Sequence, residues 1–165
     1  MIQTFISLQN SYIKMDSDSF KIFNLECHET KDTDDNHVNG ELTVIWRDWD
    51  NHELTLPKMV YITSVEPNEK KGPHLHTERN SFFTCIQGEV IFIIRDKDGL
   101  YHEIKTSETN PQLIFIPKGV AAAHLNSGTI TGKILALADI SWKPDSREMK
   151  NVKFDDYKWE KWFNS

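Results

Sequence analysis

Short apolar runs separated by turn-forming residues recur along the sequence, and they constrain the fold more than any other feature. Turn signals come about every 8 to 12 residues, a spacing typical of β-sandwiches and closed β-barrels. The runs predicted to be strands are residues 20–27, 42–49, 53–56, 58–65, 81–87, 89–95, 101–106, 112–116 and 133–140. Asp98-Gly99 predicts a hairpin with a primed turn, and the polar residues 28–37 predict a loop.

This pattern predicts one all-β domain. The chain has 165 residues, enough for a single domain with a sizeable core. We predict a jelly roll of about eight to ten strands within residues 20–165. Helix-compatible spacing occurs only at residues 155–163, which predicts a short C-terminal helical segment. We predict that residues 1–19 form an N-terminal arm or a strand exchanged with a partner chain.

Charge and hydropathy argue against two classes of partner. The net charge is −6 and no stripe of Lys or Arg stands out, so we expect no binding to nucleic acid. A run of about 18 apolar residues is absent, and so is a basic N-terminal segment followed by an apolar one. We therefore expect no membrane span and a cytoplasmic location.

The segment Gly72-Pro73-His74-Leu75-His76 carries the strongest chemical signal. Side chains two residues apart point to the same side of a strand, whereas on a helix they would lie about 200° apart. His74 and His76 are therefore expected to face one pocket inside the barrel. Three interpretations stay open for this pair: polar groups satisfied within the fold, ligands of a metal ion, or an acid–base pair.

The acid–base interpretation is favoured because imidazole titrates near neutral pH. A buried pair can hold one proton and one free base. A protonated neighbour also lowers the pKa of its partner, so the two titrate as a coupled unit. Such a pair suits proton transfer between adjacent carbon atoms of a keto sugar.

The residues around this pair resemble the cupin-fold nucleotide-sugar 3,4-ketoisomerases. These enzymes include WxcM-like proteins and dTDP-4-keto-6-deoxyglucose 3,4-ketoisomerase, and they are related to the dTDP-4-dehydrorhamnose 3,5-epimerases. In the ketoisomerases a tyrosine precedes a basic-Gly-x-His-x-His segment, and a strand that ends in glycine follows. Tyr61, Lys71, His74, His76 and Gly88 match this pattern, with Lys71 in place of the family's arginine. The match extends over about residues 38–160.

The resemblance implies a cupin double-stranded β-helix that needs neither a cofactor nor a metal ion. It implies conversion of a nucleotide-linked 4-keto-6-deoxyhexose, with dTDP as the expected carrier, into its 3-keto isomer for deoxysugar and lipopolysaccharide synthesis. His74 would remove the proton from C3, His76 would move a proton between the oxygens, and Tyr61 would polarise the carbonyl or orient a histidine. Relatives are homodimers with exchanged N-terminal strands, so we expect the same assembly.

The remaining expected site residues are charged side chains. Cations near the histidine pair would bind the substrate, and these are Lys71, Arg79, Lys70 and Arg47. A carboxylate that accepts a hydrogen bond from the second ring nitrogen would orient His74. Asp139 and Asp156 are both candidates for this role, and the sequence leaves the choice open.

Two alternatives to the isomerase remain. The 3,5-epimerases use one catalytic histidine and a tyrosine on a late strand, but residues 134–139 contain no tyrosine. A sugar-nucleotide-binding cupin without catalysis is favoured by three departures from the ketoisomerase pattern, namely Lys71, Asn80-Ser81 and the alanines at 121–123.

A metal-dependent cupin is disfavoured by the spacing of the ligands. Such a site needs a glutamate four or five residues after the histidine pair and a third histidine on a later strand. Asn80 and Ser81 occupy the first position, Glu78 comes too early, and His124 falls too late for the second position. Two imidazoles alone leave a divalent ion underliganded, so we expect no metal ion at this site.

Overall fold

The computed structural model describes residues 13–47 and 56–163, and for residues 13–16 only the backbone. The strands in these ranges are β1 (Ile13–Asp16), β2 (Lys21–Asn24), β3 (Glu26–Lys31), β4 (Val38–Val44), β5 (Met59–Val65), β6 (Lys70–His76), β7 (Ser81–Gln87), β8 (Glu89–Arg95), β9 (Tyr101–Ser107), β10 (Gln112–Ile116), β11 (Ala121–Leu125), β12 (Gly132–Ala138) and β13 (Met149–Asn151). A 3₁₀ helix follows at Trp159–Trp162. Most of the predicted arm, at residues 1–12, and most of the predicted strand 53–56 lie outside the described residues.

The strands form two main antiparallel sheets with a shared core. One sheet has six strands in the order β1-β2-β10-β7-β12-β5, and the other has five in the order β13-β6-β11-β8-β9. Inward-facing residues of both sheets meet in one apolar cluster that includes Phe20, Cys85, Phe92 and Ile134. Because strands distant in sequence are neighbours in each sheet, the architecture is a jelly roll. The predicted all-β double-stranded β-helix with a short C-terminal helical segment is confirmed.

The outer faces of both sheets are partly covered by other segments. On the six-stranded sheet, Trp46, after the β3–β4 hairpin, packs against the cluster that contains Phe82. On the five-stranded sheet, Phe154 of the C-terminal segment packs with Ile91. Burial on both faces explains why β8 is a continuous apolar run rather than an alternating one. Within the described residues, no helix has the length and apolar character needed to cross a membrane.

An irregularity in β6 sets the direction of its side chains. In the pairing with β11, His74 lies opposite Ala122 and Lys71 lies opposite His124, so β6 contains one extra residue between the two pairs. This interval contains Gly72, whose φ is +86°. A bulge of this kind reverses the alternation of the strand. Lys71 and His74 consequently point to the same side of β6.

Two sequence predictions about local structure are corrected, and one strand lies where none is predicted. Residues 28–37 are not a loop throughout, because β3 and β4 pair and leave only residues 32–37 as the connection. Residues 121–125 form β11, although a run of alanines has low strand propensity. The hairpin at Asp98-Gly99 is present, but only Gly99 has a positive φ, so the turn is not of the primed type.

Candidate active site

A cavity in the barrel contains both histidines of the β6 segment. The empty space in it, including the open mouth, is about 450 Å³. The polar residues that line it are His74, His76, Arg79, Ser81 and His124. The apolar ones are Phe83, Phe92, Ile116, Pro117, Val120 and Ala122. The cavity therefore combines an apolar wall with a few polar groups, as sites for small ligands do.

His74 is held by a residue of the C-terminal strand β13. Its Nδ1 lies 3.0 Å from Oδ1 of Asn151, and the two residues face each other in the β6–β13 pair. Because an amide oxygen can only accept, Nδ1 carries the ring hydrogen and neutral His74 keeps its lone pair on Nε2. This tautomer provides the free basic nitrogen that a general base requires.

His76 lies in a buried cluster with Glu148 and Arg79. Its Nδ1 is 2.8 Å from Oε2 of Glu148, and Nη2 of Arg79 is 2.7 Å from its Nε2. Glu148 and Arg79 are only 6% and 8% exposed, and Nε of Arg79 lies 3.7 Å from Oε1 of Glu148. The carboxylate thus balances the guanidinium charge beside the ring, as a buried charge requires.

The surroundings of His76 keep its imidazole neutral. Burial is the main cause that lowers the pKa of His76 below its ordinary value of 6.5, and the positive charge of Arg79 lowers the pKa further. The hydrogen bond to Glu148 acts in the opposite direction and offsets part of this effect. At pH 7 the neutral ring can both accept and donate a proton.

Tyr61 and Lys71 lie where the edges of the two sheets approach each other. Tyr61 is half-buried on β5, and burial raises its pKa although the charge of Arg79 opposes the change. Its hydroxyl is therefore protonated at neutral pH and can donate a hydrogen bond. Lys71 donates from Nζ to Oγ1 of Thr63 at 2.8 Å, which links β6 to the edge strand β5.

Polar atoms without partners are concentrated at this cavity. Among the described residues, five buried side-chain polar atoms lack a hydrogen-bond partner, and three of them belong to residues that line the cavity. These three are Nε of Arg79, Oγ of Ser81 and Nε2 of His124. Because buried polar groups in native proteins are nearly always paired, such a concentration points to a ligand site.

Two of the predicted substrate-binding cations lie away from the cavity. Nζ of Lys70 is 4.1 Å from the centre of the Trp159 ring on the outer face of the five-stranded sheet, because the bulge in β6 places Lys71 rather than Lys70 on the side of His74. Arg47 pairs with Glu26 at 2.8 Å, beside the β3–β4 hairpin. Of the four predicted cations, Arg79 therefore lines the cavity, and Lys71 lies beside it, opposite His124, whereas Lys70 and Arg47 do not line it.

Neither aspartate predicted to orient His74 is bonded to it. Asp139 accepts two hydrogen bonds from Asn80, at 2.9 Å from its backbone nitrogen and 2.6 Å from its side-chain amide. Asp156 accepts from the Tyr101 hydroxyl at 2.5 Å, beside the five-stranded sheet. The expectation is corrected because β13, which the sequence did not predict, pairs with β6 and places Asn151 opposite His74.

Glu148 and Asn151 are the site residues that sequence reasoning missed. The three residues of β13 are all exposed and show no apolar alternation, so the segment carries no strand signal. The only signal for them in the sequence was a carboxylate, Glu148, and an amide, Asn151, in a segment to which no role was assigned. Only the long-range pairing with β6 reveals their positions.

One group among the described residues has donor atoms close enough together to hold a metal ion. It consists of Asp32, Asp35 and His37, in the connection between β3 and β4. Asp35 and His37 are exposed and already hydrogen-bonded to each other. The group is not among the residues that line the cavity.

The model of the family described as "FdtA: WxcM-like, C-terminal" matches residues 23–159. No curated protein matches the chain.

Three solved structures illustrate the shared fold. A 3,4-ketoisomerase from Helicobacter canadensis has a TM-score of 0.63 at 18% identity, over 88% of this chain and 95% of that one. A dTDP sugar isomerase from Desulfovibrio desulfuricans G20 has a TM-score of 0.66 at 15% identity, over 84% and 86%. A dTDP-6-deoxy-D-glucose-3,5-epimerase from Legionella pneumophila Philadelphia 1, in complex with dTDP-4-keto-L-rhamnose, has a TM-score of 0.71 at 14% identity, over 88% and 79%.

Proposed function

The chain belongs to the family described as FdtA, WxcM-like, C-terminal, and from this premise we propose that it is a sugar-nucleotide 3,4-ketoisomerase. Its substrate is a nucleotide-linked 4-keto-6-deoxyhexose, with dTDP as the carrier, and its product is the 3-keto isomer. The reaction needs no metal ion and serves deoxysugar synthesis for a surface glycan in the cytoplasm. The single observation that carries the proposal is that His74 and His76 line one cavity with a hydrogen-bond partner at each Nδ1.

The first step is removal of the proton from C3. The carbonyl at C4 acidifies this proton, and Nε2 of His74 accepts it, because Nδ1 already donates to Asn151. The electron pair of the C3–H bond forms a double bond between C3 and C4, and the former carbonyl oxygen gains negative charge. Arg79, which lines the same cavity, stabilises that enediolate electrostatically.

The second step returns the proton to C4. His74 delivers the proton to C4. A second proton moves from the oxygen on C3 to the oxygen on C4, and the ketone therefore forms at C3. Neutral His76 is suited to this transfer between oxygens, since its ring both accepts and donates. In the described arrangement Arg79 donates to Nε2 of His76, so the role requires the guanidinium to turn toward the substrate oxygen.

Lys71 and Tyr61 complete the proposed site. Lys71 is the cation that matches the family's basic position, and we assign it to the diphosphate. Tyr61 can donate a hydrogen bond to the carbonyl oxygen, because its raised pKa keeps the hydroxyl protonated. A 3,5-epimerase is the second candidate, and one observation favours it: Tyr61 lies opposite Ala136 of the late strand β12, which places a phenol next to the strand where epimerases carry their tyrosine.

Incubation with dTDP-4-keto-6-deoxyglucose in deuterium oxide tests the proposal. For a ketoisomerase, NMR detects deuterium at C3 or C4 together with the 3-keto product, and dialysis against a chelator leaves the rate unchanged. Deuterium at C5 as well indicates the epimerase. If no deuterium enters while the nucleotide sugar binds, the protein is a non-catalytic binder.

A further inference from the structure

His124 is the titratable group at the cavity to which the reaction above gives no role. It follows Ala122 on the inner side of β11 and packs against Phe92, with ring centroids 5.6 Å apart. Part of its ring forms the cavity wall, whereas its Nε2 is buried and has no hydrogen-bond partner among the described residues. A buried imidazole nitrogen without a partner is uncommon in a native protein, so a group that enters the cavity is the natural partner.

The strand register places His124 between the two ends of the proposed reaction. In the β6–β11 pair, His124 lies opposite Lys71, and Ala122 lies opposite His74. Lys71 is assigned to the diphosphate, which is attached to C1 of the sugar, and His74 acts at C3. On these two assignments, the side chain that lies between them on β11 faces C2 of the sugar.

We propose that His124 binds the 2-hydroxyl of the sugar through its unpartnered ring nitrogen. The inference rests on the proposed function, because it names a further contact of the same substrate in the same cavity. A hydroxyl group both donates and accepts, so it can pair with either tautomer of the neutral ring. A site built around such a hydrogen bond discriminates against an analogue that lacks the hydroxyl.

Electrostatics assign His124 a binding role rather than proton transfer. Burial lowers its pKa to about 3, and the charge of Lys71, together with that of His74 whenever that ring is protonated, acts in the same direction. The ring of His124 is therefore neutral at pH 7. Its replacement is expected to raise KM and to leave the shape of the pH–rate profile unchanged.

Binding measurements on two nucleotide sugars test the inference without requiring turnover. We compare dTDP-quinovose with its 2-deoxy analogue, dTDP-2,6-dideoxyglucose, by calorimetry. The wild type is expected to bind dTDP-quinovose about tenfold more tightly, the effect of one hydrogen bond. In His124→Phe, which keeps a ring beside Phe92 but removes both nitrogens, the preference is expected to disappear. His124→Gln, whose amide can still reach a hydroxyl, is expected to keep most of it.

The outcomes separate this inference from the proposed function. A wild type without preference, a preference that survives in His124→Phe, or failure of both nucleotide sugars to bind overturns the role of His124. A thermal melt checks that His124→Phe folds, and its Tm is expected to equal or exceed that of the wild type because an unpaired buried nitrogen is lost. If that variant does not fold, the ¹⁵N shifts of the wild-type His124 ring decide: they move with dTDP-quinovose but not with the 2-deoxy analogue. Failure of the wild type to exchange deuterium overturns the isomerase alone.

Discussion

At the scale of single residues, Asn151 decides which nitrogen of His74 carries the hydrogen. The hydrogen bond from Nδ1 of His74 to Asn151 leaves the opposite nitrogen free for the substrate. An asparagine stays uncharged at all pH values of interest, so the pair fixes the tautomer of the neutral ring. An aspartate in this position would favour the protonated ring, which is a poorer base.

Replacing His74 by Asn tests the base directly. We expect kcat to fall by at least about 100-fold, because positioned acid–base groups contribute on the order of 10²–10⁴ each. Asn is smaller and polar, so the melting temperature should change little. His37→Asn, in the exposed connection between β3 and β4, is the matched control and should retain full activity. A normal kcat in His74→Asn would remove this residue from the mechanism.

The neutral state of His124 makes stability depend on pH. The pKa of His124 is about 3 in the folded protein against an ordinary value of 6.5, so between these values the unfolded chain binds a proton that the folded one does not. The free energy of unfolding therefore falls as the pH is lowered through this window. Urea unfolding at pH 6 and pH 5 should show a loss that is larger in the wild type than in His124→Phe by up to about 1.4 kcal/mol. Equal losses in the two proteins would contradict this account.

At the scale of elements, the bulge in β6 places Lys71 and His74 on one side of the strand. Gly72 occupies this bulge with φ of +86°, and a Cβ there would meet the backbone nitrogen of His74 at 2.9 Å and its ring at 3.2 Å. Gly99 has nearly the same φ, +83°, but a Cβ there would have no atom within 4 Å. The two glycines thus share a backbone conformation and differ in their contacts.

This difference gives a matched pair of variants. Gly99→Ala should lower the free energy of unfolding by about 1 kcal/mol, the cost of a left-handed conformation in a residue with Cβ, and should leave kcat unchanged. Gly72→Ala should lose more stability and also lower kcat, since the added methyl group displaces His74. Urea unfolding and steady-state kinetics measure both quantities. Similar kcat values in the two variants would show that the bulge does not position the base.

The sequence predicts those elements whose burial pattern is local. Strands β7, β8 and β10 were predicted within a residue because their apolar runs are bounded by turn residues. Strand β13 could not be predicted, since its three residues are exposed and its only support is the pairing with β6. Glu148 and Asn151 were missed for the same reason, whereas the histidine pair was found because its spacing alone fixes a shared face.

At the scale of the whole molecule, the outer face of β5 carries exposed branched apolar residues. Val60 and Ile62 are 57% and 59% exposed, and β5 is the edge strand of the six-stranded sheet. Exposed apolar residues on an edge strand favour association unless a partner covers them. Together with the resemblance to homodimeric enzymes, this predicts that a second copy of the chain covers this face.

Light scattering after size-exclusion chromatography tests that assembly. We expect the wild type to have the mass of two chains and Ile62→Glu to have the mass of one, because a charge would be buried in the interface. Leu100→Glu changes a residue of similar exposure, 64%, before β9, and should remain a dimer. A wild type with the mass of a single chain would contradict the prediction.

Both Nδ1 partners of the histidine pair come late in the chain, since Glu148 directly precedes β13 and Asn151 belongs to it. During translation the N-terminal part of a domain emerges first, so β6 is made long before the residues that hold its two rings. A ribosome-bound chain that ends before residue 148 can assemble most of both sheets, but both rings lack their Nδ1 partners. Both Nδ1 partners of the histidine pair are thus acquired only after the bulk of the barrel has been synthesised.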